Sequence, residues 1–421
     1  MTEKPDSSSE TPCLPGGLIP IDQWEFPELS VRRSVKDAVR HISVQLRGGV
    51  SRNEQPFQSL DDLPELSESD RNAVAPDPDF SALAATLADL LWRQKNDVPN
   101  PRNVSFLVAP PFSGVREALV RWSWLDLDTD TDASAGWVIT PPKNLLMSDA
   151  DAIEWWNEQD LSRPWVIPEL ADFWLRHMQG LALVRELFRR IAADTAGQGV
   201  VGCSSWCWQF WASYAPDLPA APCTPAPLSA SYLGHWLEYL SGDNDEEPVV
   251  ARMADDGLYV LPTRDKLNGK KIKHSGFLSE LAAASRGNHG VALALWRSAI
   301  RAEPEEGNDE SEDDSSAEKS PSSCCWVVPL DKLSLPAMPK SRDRALGLVL
   351  HALLLHDGLD EDSLFLVVGI SKHDLTHAVA LLQRADIIRY SDAGNRWHVT
   401  DLGYPDIRRH LQSWGFPVDG F

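Results

Sequence analysis

The chain has 421 residues, 43% of them hydrophobic, and carries 39 Lys and Arg against 62 Asp and Glu, a formal charge of −23. That length allows two or three domains with buried cores, and the acid excess disfavours non-specific attraction to nucleic acid or to an anionic membrane surface, which depends on Lys and Arg neutralising phosphate. The six cysteines, at 13, 203, 207, 223, 324 and 325, make no C-x-x-C pair and no Cys/His quartet, so neither a metal-ligand set nor a disulfide framework is predicted.

The first ten residues, MTEKPDSSSE, lack the apolar core of a leader, and no run approaches the roughly 18 apolar residues that a spanning helix needs; the expectation is a cytoplasmic protein without a membrane span. Residues 1–20 are rich in Pro, Ser and Gly and read as disordered, and the acidic, Pro-containing stretch 61–79 closes an N-terminal extension, 1–79. From Phe80 onward short apolar runs alternate with helical segments. Helices are expected over 81–92, 115–122, 149–159, 171–192 and 231–240, with strands at 104–109, 136–140, 165–170 and 199–204. That alternation predicts an α/β domain, 80–240, with a parallel sheet covered on both faces. Ten of the seventeen Trp fall between Trp122 and Trp211 and read as core or interface anchors.

Residues 241–302 read as an insertion, with a hairpin strand at 257–262, followed by a helical pair over 277–301. The stretch 303–323 holds nine acids against one Lys and belongs to a linker, 303–340. Beyond it, helices at 342–356, 361–368 and 371–385 precede two strands joined by the turn Asp392-Ala-Gly-Asn395, the order of a winged helix over 341–421.

The chemistry-bearing candidates lie at the strand ends. A phosphate-binding loop is written G-x-x-x-x-G-K-[ST], because glycines admit backbone N–H groups to the phosphate, Lys reaches the outer phosphates and the hydroxyl holds magnesium. Here Ala109 stands for the first Gly, Gly114 for the second, Val115 for the Lys and Arg116 for the hydroxyl. Fifty residues on, Trp165-Val-Ile-Pro-Glu-Leu170 places Pro168 where the magnesium-side acid would stand and Glu169 where the second acid would polarise water. Ser204 ends the next strand where a polar sensor would sit. Arg286, in Ser285-Arg-Gly-Asn-His-Gly-Val-Ala292, stands at a Gly-Asn turn between two helices, with Arg297 as its alternative; a simple helix cap explains the same turn.

On these motifs residues 80–301 resemble the core and lid of AAA+ and STAND P-loop ATPases, and 341–421 the winged helix that follows in Orc-like and STAND branches. The resemblance implies ATP or ADP as ligand, with magnesium, held by Pro111, Ser113, Gly114, Val115, Arg116, Ser204 and Arg286, and Glu169 as the catalytic acid. It also implies nucleotide-driven switching with a protein partner or self-assembly, in bacterial signalling or antiviral defence. The lost Lys, hydroxyl and first acid weigh against hydrolysis and leave nucleotide binding open. An active ATPase and a winged-helix transcriptional regulator are the competing readings. Against the latter, residues 341–421 hold eight Lys or Arg against eleven acids, so DNA binding is expected to be weak or absent, and Trp397 and the segment 414–421 read as anchors for a protein partner. The alternating aspartates at 126–132 lack the Gly and Glu of a calcium loop and read as solvated.

Overall fold

The computed structural model describes residues 12–28, 63–93, 103–122, 137–218, 220–242, 249–262, 266–267, 270–302, 324–341, 343–392 and 394–421. Residues 1–11, the aspartate run at 126–132 and the acid-rich 303–323 lie outside them. The chain divides into two compact units, the first made of Met1–Glu25, Asp79–Ala226 and Leu335–Phe421, the second of Phe26–Pro78 and Pro227–Ser334. The protein is of the α/β class.

The first unit is built on a six-stranded sheet of β1 (Leu18–Pro20), β2 (Val104–Ala109), β3 (Trp137–Val138), β4 (Trp165–Ile167), β5 (Gly199–Ser204) and β6 (Cys223–Pro225), in the order β1-β6-β2-β5-β4-β3. All pairs are parallel except β1 against β6. Strand residues alternate between two buried layers, as a pleat requires. Phe106, Val108, Ile167, Val201 and Cys203 face the helices Asp149–Glu158, Ala182–Ala192 and Ser205–Tyr214, while Leu107, Ala109, Val166 and Val200 face the helices Phe80–Ala88 and Val115–Arg121. Both faces are covered, so the strands are continuous apolar runs and not alternating ones. The adjacent strands β2 and β5 send their following helices to opposite faces, the arrangement that opens a crevice outside the carboxyl ends of a parallel sheet.

The expected disorder over 1–20 does not extend through 12–20: Leu14 is buried and Leu18–Pro20 pairs with Cys223–Pro225. The helix expected over 171–192 begins only at Ala182, after short 3-10 turns at Leu170–Phe173 and Met178–Gly180. Between those turns the Leu175 N–H donates to the Gly180 carbonyl at 3.1 Å, and a Cβ on Gly180 would lie 2.5 Å from the Leu175 carbonyl oxygen.

The second unit holds β7 (Val250–Met253), a small hairpin of β8 (Lys266–Leu267) and β9 (Lys270–Lys271), β10 (Ile300–Arg301) and β11 (Cys324–Val327), with the sheet order β10-β11-β7. β11 lies inside the stretch read as linker. The expected strand over 257–262 is reduced to isolated bridges at Tyr259. The helices Phe277–Ala284 and His289–Ala299 form the expected pair.

The last segment of the first unit runs through helices Arg344–Leu355, Glu361–Val368 and Lys372–Arg384, an antiparallel hairpin of β12 (Ile388–Ser391) and β13 (Arg396–Val399), and a further helix, Tyr404–Ser413, which the sequence did not reveal. The segment is not a free-standing appendage. Leu355 and Phe421 belong to the same apolar cluster as the sheet, and the Phe421 ring lies 4.8 Å from that of Trp24. Phe416 packs against His351, and Phe421 is buried, so these two terminal aromatics make contacts within the chain. No single helix among the described residues is long and apolar enough to cross a membrane.

Candidate functional site

β2 ends at Ala109 and its chain turns through Pro110-Pro111-Phe112-Ser113-Gly114 into the helix Val115–Arg121. Two prolines in succession remove two backbone donors from the place where a phosphate loop needs them. The Ser113 N–H donates to the Pro110 carbonyl at 3.3 Å, and the Ser113 hydroxyl accepts from the Val115 N–H at 3.4 Å. Gly114 sits at φ +80°, and a Cβ there would lie 2.7 Å from Phe80 Cε1, so backbone and packing both demand glycine. Pro111 and Val115 are buried, and the Phe112 ring meets the edge of Tyr404.

Arg116 is the charged residue of the turn. Its Nη2 pairs with Asp172 Oδ2 at 2.8 Å and its Nη1 with Asp357, while Arg396 Nη1 reaches the other Asp172 oxygen at 2.6 Å. Two guanidinium groups thus face two carboxylates, drawn from the helix after β2, the turn after β4, the end of the Arg344–Leu355 helix and β13. Burial works against the Arg116 charge, but Asp357 and then Asp172 outweigh it and hold its pKa above the usual value. Asp357 stands at φ +49°, a left-handed conformation that aspartate tolerates better than most residues, followed by Gly358 at φ +98°.

Glu169, just past β4, is buried, and its Oε1 accepts from the backbone N–H of Ala171 at 2.9 Å and of Ser204 at 3.0 Å. It therefore ties the end of β4 to the end of β5. Burial, then the Asp357 charge, push its pKa up to about 8, so the carboxyl is largely protonated at neutral pH. The Ser204 hydroxyl caps the Ser205–Tyr214 helix by accepting from the Cys207 N–H at 3.3 Å. Close approach of the two strand ends depends on Gly202, where a Cβ would lie 2.2 Å from the Pro168 carbonyl oxygen and 2.5 Å from Leu119 Cδ1. Cys203 and Cys207 lie beside Glu169, and the three ligand atoms fall within 4.8 Å of one another.

The structure thus brings Pro111, Ser113, Gly114, Val115, Arg116, Glu169 and Ser204 to one edge of the sheet. Arg286 belongs to the second unit. It sits at φ +54° before Gly287 at φ +75°, and its guanidinium lies 3.9 Å from the centre of the Phe26 ring. The Gly287 N–H donates to the Ala282 carbonyl and the Asn288 side chain caps the next helix, the chemistry of a helix-to-helix turn. Arg297 donates to the Ala75 carbonyl and pairs with Asp77.

Sequence reasoning missed Asp172, Asp357 and Arg396. Asp357 lies 241 positions from Arg116 and Arg396 lies 224 from Asp172, so no local spacing could announce either pair. It also missed the pairing of the Tyr404–Ser413 helix with the chain end, where Arg408 pairs with Asp419 at 2.9 Å and Ser205 donates to Asp419. Neither a family model nor a curated protein matches the chain.

Proposed function

We propose that the chain is a regulatory or assembly protein of AAA+/STAND-like build in which the nucleotide site has become a closed ionic joint between the sheet and the C-terminal segment. The observation that carries this reading is the engagement of Arg116 by Asp172 and Asp357, at the position where a phosphate loop carries its magnesium-holding hydroxyl. A carboxylate on a left-handed turn faces the guanidinium that a polyphosphate would have to recruit. The neighbouring chemistry agrees. The double proline withholds N–H donors, Val115 turns an apolar side chain into the core, and the Oε1 of Glu169 is already taken up by two backbone N–H donors.

The joint makes the C-terminal segment the element whose release would expose Arg116. A DNA-reading role for that segment has little support: the exposed face of the Lys372–Arg384 helix carries only Lys372 and Arg384 as permanent cations, beside His373, Thr376, His377 and Gln383.

The test is phosphate release and thermal unfolding of the full chain with ATP and magnesium. Turnover is expected to equal the buffer blank, and ATP is expected to leave the melting temperature unchanged, whereas Asp357→Asn should gain ATP-dependent stabilisation because a bound ligand stabilises by mass action. Magnesium-dependent turnover that Glu169→Gln abolishes would instead establish an ATPase and defeat the proposal.

A further inference from the structure

Beside the ionic joint, and independent of the reading above, Glu169, Cys203 and Cys207 form the one group of three metal-ligating side chains found among the described residues, and all three are buried. They converge from different elements. Glu169 follows β4, Cys203 is the penultimate residue of β5, and Cys207 lies in the first turn of the Ser205–Tyr214 helix, four residues on. A C-x-x-x-C spacing carries no ligand signature in the sequence, but here a strand end running into a helix brings both sulfurs to one side, and the neighbouring strand supplies the carboxylate. Two of the three ligands already accept from a second group. Glu169 is fixed through Oε1 by two backbone N–H donors, and the Trp174 indole N–H donates to Cys207 Sγ at 3.3 Å. Such outer-shell donors orient metal ligands and stabilise a thiolate.

We infer that Glu169, Cys203 and Cys207 bind one divalent cation of the zinc class, pinning the end of β4 to β5 and its following helix. Tetrahedral zinc has bonds of about 2.3 Å to sulfur and about 2.1 Å to oxygen, which sets ligand atoms about 3.6 Å apart; atoms within 4.8 Å reach that spacing by side-chain shifts of about 1 Å. Two thiolates with a carboxylate select zinc over magnesium or calcium, which prefer oxygen alone. Binding exchanges three protons, one from each side chain, for the cation. Three anionic ligands on a divalent cation leave a single net negative charge and one open tetrahedral position at the site. Because the site is buried, the cation enters as the chain folds and not afterwards.

The experiment is elemental analysis of the full chain, purified without a chelating tag and refolded from denaturant with zinc. About one zinc per chain is expected, falling to near zero in Cys203→Ser/Cys207→Ser and unchanged in the control Cys324→Ser/Cys325→Ser. Refolding with cobalt should give a thiolate-to-cobalt charge-transfer band in the wild-type chain, a readout that stands even if the double variant fails to fold. A zinc-free wild-type chain, a missing cobalt band, or a Cys203–Cys207 disulfide found by mass spectrometry would overturn the inference. So would undiminished zinc in the double variant.

Discussion

Two neighbouring places at the carboxyl edge of one sheet solve opposite problems. Around Arg116, four charged side chains from distant parts of the chain neutralise one another in pairs, and each remains partly open to solvent. Around Glu169, the polar groups are buried and are held by backbone N–H donors and a close strand approach. The first place is organised by charge and should yield to charge substitutions. The second is organised by steric fit and should yield to volume.

The largest effect is expected at the second place. Gly202→Val should destabilise the first unit by about 3–5 kcal/mol, because its side chain must occupy the space of the Pro168 carbonyl and Leu119; a cost within about 0.5 kcal/mol in denaturant unfolding would show that the strand ends can part freely.

Next comes the ionic joint. Arg116→Ala should cost about 2–3 kcal/mol, since it leaves Asp357 without its guanidinium and Asp172 with only Arg396, and Arg116→Lys should recover part of that, because an ammonium cannot offer two forked donors. In a double-mutant cycle, Asp357→Ala should be nearly neutral in the Arg116→Ala background. Full additivity would place the pair among ordinary surface ion pairs.

Smallest per step is a pH dependence, which sharpens the contrast. His356, next to Asp357, is buried, and its Nε2 accepts the Arg176 backbone N–H at 3.3 Å. Burial, then the Arg176 charge, push its pKa down to about 3. The folded value lies below the unfolded one of about 6.5, so the neutral imidazole's contribution is complete above pH 6.5 and is lost as the pH falls toward 3. Relative to the wild type, His356→Gln should therefore lose about 1.4 kcal/mol less per pH unit in that window. Parallel stability curves for the two proteins would mean that the histidine is not held neutral.

The contrast also explains what could be read in advance. β2 and β5 are legible because six-residue apolar runs bounded by turn residues leave little alternative, and the helix pair around Gly287-Asn288 is legible because cap chemistry is local. β1, β6 and β11 are not, since three- or four-residue strands beside Pro and Cys become strands only through the partner they pair with. The turn at Pro110–Gly114 could be located from its residues, but the acids that engage Arg116 come from the turn after β4 and from 241 residues away. The cysteine spacing carries no ligand signature of its own, and the carboxylate that lies beside the two sulfurs follows another strand.

Phe421 packs on Trp24, and Asp357 on Arg116, so the first unit draws its interior from both extremes of the sequence, with residues 227–334 threaded between its parts. During synthesis the strands β2 to β5 emerge well before Asp357 and Phe421, the residues that complete their ionic joint and apolar layer. Distant contacts of this kind slow folding, because loop closure must be met before they form.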